Sequence, residues 1–135
     1  MAFYRKPTPE TWSGRIDGVE SDQLRWHQVM QFYEPERLPP IGKGFQGIAL
    51  IGFCCDEGVR RNMGRTGAAA APEAIRHACC NFPLVAGHIV MADVGDVVCN
   101  DGNLEEAQAI LAEKIMMINA SGFLPIVLGG GHETA

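Results

Sequence analysis

A chain of 135 residues, 47% hydrophobic and 20% charged, is long enough for one modest core and too apolar for a disordered tail. Its formal charge of -5 and pI near 5.3 argue against nucleic acid, whose phosphates demand clustered Lys and Arg, and leave a small polar substrate as the expected partner. No apolar run reaches the roughly 18 residues of a membrane span, and the opening MAFYRKPTPETW lacks the apolar stretch of a secretion signal, so the expected location is the cytoplasm, with no membrane partner.

Residues 1–46 carry most of the prolines and both tryptophans and read as an amino-terminal tail and connector. A short helix is expected over Ser21–Phe32, capped by Ser21, and EPERLPPIGKGF then links the tail to a regular core over residues 47–135. There, Gly47–Cys55 is a continuous apolar run of strand length, the pattern of a strand buried on both faces of a parallel sheet. A glycine- and arginine-rich loop, Asp56–Ala71, precedes a helix predicted from Pro72, with Glu73 in its first turn, to about Asn81. His88–Val94 is the second predicted strand, and Asp93, Asp96 and Asp101 are expected beyond it as loop carboxylates and helix caps. Apolar residues at Ala107, Ile110, Leu111, Ile115 and Ile118 mark one face of a helix over Leu104–Ala120, ended by Gly122, and Phe123–Leu128 is the third strand. Strand and helix alternating at these lengths imply a parallel α/β sheet, with ligands at the carboxyl ends of its strands. A sheet of so few strands has an open edge, expected either to self-associate or to be covered by the tail.

Three loops therefore converge on one edge, and two of them carry chemistry. After the third strand, Gly129-Gly130-Gly131 lets the backbone approach a ligand closely and aims His132 at the site. That imidazole reads equally well as a transition-metal ligand or as a turn histidine hydrogen-bonded to backbone. In the loop DEGVRRNMGRTG, the planar forks of Arg60, Arg61 and Arg65 suit carboxylates, while Gly58, Gly64 and Gly67 allow turns that expose amides to an anion. A solvated loop with scattered arginines is the plainer reading. Neither a Walker sequence nor a clean G-x-G-x-x-G occurs, which weakens a Rossmann-like nucleotide-binding alternative. Five cysteines, with no Cys-x-x-Cys spacing, make no disulfide framework and are expected as buried small apolar residues.

GFCCDEGVRRNMGRTGAAAAPEAIR resembles the first strand, loop and helix of the ureohydrolase family of arginases, agmatinases and formimidoylglutamases, and VLGGGHE resembles the segment bearing that family's first manganese-ligating histidine. Both lie in family order, and the resemblance covers nearly the whole chain. The DEGVRRNxGRxGA loop, with WSGRID and RWHQ, looks most like the formimidoylglutamase branch. The resemblance implies a three-layer αβα parallel sheet of the arginase type, present in part with about three core strands. It also implies two Mn2+ ions and hydrolysis of N-formimidoyl-L-glutamate to glutamate and formamide in histidine degradation, an agmatinase or arginase activity being the alternative. His132 is carried over as a metal ligand, and Arg60, Arg61, Asn62 and Arg65 as the group that grips substrate carboxylates. The family's later Asp-x-His-x-Asp and Asp-rich motifs do not occur here, so no catalytic residue is assigned and the chain alone is expected to be inactive. A homo-oligomer is left open.

Overall fold

A computed structural model describes residues 3–135, so the first two residues of the expected tail lie outside the described ones. In chain order the elements are β1 (Tyr4–Arg5), α1 (Trp26–Val29), β2 (Gln31–Phe32), β3 (Gln46–Cys54), α2 (Glu57–Arg61), α3 (Ala71–Cys79), β4 (Ile89–Val98), α4 (Leu104–Ala120) and β5 (Phe123–Gly129). The three expected core strands are present and parallel, in the order β4-β3-β5. β3 pairs on both sides, which explains why its run is apolar without alternation.

Successive side chains of β3 point to opposite faces and so found two clusters. Ala49, Ile51 and Phe53 join Ala92, Val94 and Val97 of β4 beneath Ala107, Leu111 and Ile118 of α4. On the other face Leu50, Met91 and Leu128 pack with Cys80 and with Trp12 and Met30 of the amino-terminal segment. The result is three layers, α4 over the sheet over α3 and the tail. Ile51 and Phe53 are fully buried, each worth about 1.5–3 kcal/mol of apolar transfer.

The amino-terminal segment is sewn to the sheet. β1 pairs antiparallel with β4 and β2 pairs parallel with it, while the outer edge of β5 has no strand partner among the described residues. The helix expected over Ser21–Phe32 shrinks to α1, because its neighbours are used otherwise. Residues 21–23 form a turn. The first amides of α1 bond to Phe82 O and Cys80 O, and Gln28, not Ser21, accepts from the Arg25 amide at 2.9 Å. Met30 then turns into the core, and Gln31 and Phe32 join the sheet.

The second correction concerns the aspartates. The second strand runs on to Val98, and Asp93 and Asp96 lie inside it, buried, rather than in a loop beyond it. The register slips here: Leu50 faces Asp93 but Gly52 faces Asp96, so β4 carries one extra residue, a bulge at which Gly95 has φ 83°. In a regular strand, residues three apart face opposite sides; the extra residue brings both carboxylates to the α3 side. There Arg76 donates to Asp96 Oδ1 at 2.7 Å and to Asp93 Oδ1 at 3.0 Å, and its Nε lies 2.8 Å from Asp93 Oδ2 without hydrogen-bond alignment. Trp12 Nε1 and Arg5 Nη2 complete the shell, each at 2.8 Å, on Asp93 and Asp96 respectively. Burial works to lower the Arg76 pKa, but the two carboxylates more than offset it and hold the guanidinium above its usual value. A side chain on Gly95 would meet Arg5 O at 2.3 Å, so glycine is needed here both for conformation and for the close approach of the tail.

Candidate functional site

With β3 in the centre, the chain moves first to β4 on one side and then returns to β5 on the other. The crevice between the carboxyl ends of β3 and β5 is therefore the topological switch point, the preferred ligand position in an open α/β sheet. The loop after β3 and the turn after β5 flank it.

That turn is tied down by backbone. Gly131 donates to Cys55 O at 2.7 Å, and Gly130, at φ 58°, lies where a side chain would strike Phe53 O at 2.5 Å. Glu133 accepts from the Gly58 amide at 3.3 Å, and its own carbonyl accepts from Gln108. His132 is exposed, and its imidazole makes no hydrogen bond among the described residues. It opens on a broad cleft of ≈ 630 Å³ whose walls include Gly58, Val59, Asn62, Gly64 and Glu133. Two of the sequence-predicted site residues, His132 and Asn62, thus meet across one cleft.

The three arginines fare differently. The stretch expected to be wholly loop contains α2, and Glu57 in its first turn is buried. Arg60 pairs with that carboxylate through two nitrogens, and Arg61 Nε reaches it at 3.1 Å. These guanidinium groups, Arg60 first, hold the Glu57 carboxyl down at about 2. Arg61 also binds Glu105 of α4 through two nitrogens, at 2.5 and 3.2 Å, and donates to Gly102 O at 2.9 Å. Arg65 is exposed and has no ion-pair or hydrogen-bond partner among the described residues. Asp56 closes the loop by accepting from the Gly67 amide at 2.7 Å. Sequence reasoning missed Glu57 and Arg76. The signal for Glu57 was its spacing to Arg60 and Arg61, three and four residues on along one helical turn.

Among the described residues no group of three His, Cys, Asp or Glu side chains is placed to hold a metal ion. A second hollow, of ≈ 220 Å³, lies between Arg5, Thr8, Glu73 and Arg76, and its buried charges are paired with one another. No helix among the described residues is long and apolar enough to cross a membrane.

Cys54, Cys55 and Cys80 are buried and Cys79 and Cys99 partly so, close to expectation. Burial pushes the Cys54 thiol up to about 11 and the Cys55 thiol to about 12, leaving little thiolate at neutral pH. Iodoacetamide should accordingly leave Cys54 and Cys55 unmodified in the folded chain and label both after denaturation. Peptide mass spectrometry showing modified Cys55 in the native state would contradict this burial.

Residues 46–135 match the model of the arginase family. The formimidoylglutamase of Chromobacterium violaceum is 50% identical over 127 residues, covering 92% of this chain and 38% of that protein. That of Geobacillus thermodenitrificans is 44% identical over 136 residues, covering 98% and 41% respectively. Among solved structures, Trypanosoma cruzi formiminoglutamase with Mn2+ superimposes with a TM-score of 0.59 at 36% identity, over 66% of this chain and 32% of that one. The chain spans about two fifths of the length of the curated relatives it matches.

Proposed function

Because the chain belongs to the arginase family, we propose that the whole protein is a manganese-dependent hydrolase that converts N-formimidoyl-L-glutamate and water to L-glutamate and formamide in histidine degradation, in the cytoplasm. The observation that carries this reading is the loop of the formimidoylglutamase type standing across one cleft from the His132 turn. Relatives named formimidoylglutamase, at 40–50% identity over most of the chain, support the substrate.

His132, exposed at a strand end and with an imidazole unpartnered among the described residues, fits one coordination position of a divalent metal. The donors of this chain do not fit a two-metal centre, since no three of them converge among the described residues. What the residues present can do is bind and orient. Within the group Arg60, Arg61, Asn62 and Arg65, the first two are committed to Glu57 and Glu105, and the members that recognise carboxylate are Asn62, on the cleft wall, and Arg65, whose guanidinium has no partner among the described residues. A substrate with two carboxylates gives such a group two anchors, and charge-assisted bonds from a planar fork fix orientation as well as affinity.

The test is a substrate comparison with the whole protein and added Mn2+. Formamide should be released from N-formimidoyl-L-glutamate, with little or no urea from arginine or agmatine. Preferential turnover of either guanidino compound would replace this assignment with that of a sibling ureohydrolase. The 135-residue chain assayed alone should show no turnover.

A further inference from the structure

Resting on that reading, we propose that Glu57, Arg61 and Glu105 form a positioning device. Through it Arg61 locks the turn carrying Asn62 and Arg65 to the start of α4, presenting that turn to the ligand without itself touching it.

All three nitrogens of the Arg61 guanidinium are engaged: Nε by Glu57 at 3.1 Å, Nη1 by Glu105 at 2.5 Å, and Nη2 by Gly102 O at 2.9 Å and Glu105 at 3.2 Å. No fork remains for a substrate carboxylate. The contacts join two of the loops that follow core strands, the one after β3 and the one after β4, with no backbone hydrogen bond of their own across that gap from residues 60–67. Glu57 is only 8% exposed, so its carboxylate cannot exchange these partners freely for water. Arg60 shares it, and Gly102 sits so close that an added side chain would lie 3.2 Å from its oxygen.

Backbone strain marks the same place. Met63 at φ 57° and Asp101 at φ 51° are the non-glycine residues of positive φ among the described residues, and they flank the clamp, one in each loop. Such conformations persist only where surrounding contacts over-determine them. Exposed ion pairs contribute little to global stability, and Glu105 is exposed. The consequence of the clamp is therefore local order in the loop, not the melting temperature of the domain.

Hydrogen exchange of the 135-residue chain tests the device directly. Arg61→Ala and Glu57→Gln should speed amide exchange over residues 62–67 by on the order of tenfold while core amides of β3 and β4 stay protected. Arg61→Lys, which keeps the charge but has one nitrogen in place of three, should fail to restore protection. Glu105→Gln, altered on an exposed residue, guards against a folding artefact and should loosen the same six residues. In the whole protein these variants should raise KM on the order of tenfold with manganese content retained and kcat little changed. Unaltered exchange at residues 62–67 overturns the proposal, and so does a raised KM with unaltered exchange, which would mean that Arg61 contacts substrate itself. Were the unmutated whole protein inert towards N-formimidoyl-L-glutamate, the assigned substrate would fall, while the exchange rates would still decide the positioning role.

Discussion

Arg76→Met should cost the folded chain about 3–5 kcal/mol, read as a lowered denaturation midpoint, because it strands two buried carboxylates without their shared cation. Against a typical total of about 5–15 kcal/mol this is roughly a fifth of the stability or more. The size follows from burial: the side chains of Arg76, Asp93 and Asp96 are 6%, 1% and 9% exposed, far from the screened regime in which ion pairs contribute little. Asp93→Ala should be comparably severe, since it also takes the acceptor from Trp12 Nε1 and leaves that indole unsatisfied in the core. A change of under about 1 kcal/mol in both variants would contradict this account, because removing one partner of a buried pair leaves the other charge uncompensated.

The second large effect belongs to the whole protein. Arg65→Ala should raise KM roughly tenfold or more, the equivalent of losing one charge-assisted contact of about 1.5–3 kcal/mol, and leave metal content intact. His132→Ala should do the reverse, lowering bound manganese and kcat with it. Arg65 is placed for the first role by its freedom from any partner among the described residues, and His132 for the second by its position at the switch point. Measuring manganese and both kinetic constants on the same preparations separates the two. If Arg65→Ala left KM unchanged while His132→Ala abolished turnover, the arginine loop would lose its assigned contact and the metal position would keep its own.

Sequence patterns located what depends on local periodicity. The five-residue apolar stripe of α4 is the face that packs on the sheet, and the three apolar runs are the three parallel strands. Where an element answers to distant partners, local reading failed. Asp93 and Asp96 look like loop residues because polar groups rarely occupy a strand buried on both faces, and it is Arg76, seventeen and twenty residues upstream, together with Trp12 and Arg5, that makes them compatible with the interior. The bulge that aligns them leaves no sign in the sequence beyond Gly95. Likewise α1 is short because Phe82 and Cys80 claim its leading amides, a fact invisible in residues 21–32 themselves. At the candidate site, the convergence of His132 and Asn62 was legible from strand order, but the division of labour among the arginines was not. It turns on Glu57 being buried and on Glu105, an exposed helix residue 44 positions downstream of Arg61.

The stitching of the amino-terminal segment to β4 also has a bearing on synthesis. Tyr4 bonds to Val94, Arg5 to Asp96 and Trp12 to Asp93, partners 90, 91 and 81 residues further along. At a ribosome's pace of about 5–20 residues per second, the segment emerges roughly 5–20 s before the strand that receives it. Throughout that interval Trp12 and Met30, both buried at the end, have nowhere to go. The amino-terminal segment is therefore made well before the strand that secures it, and during this wait it is open to chaperones and to proteases.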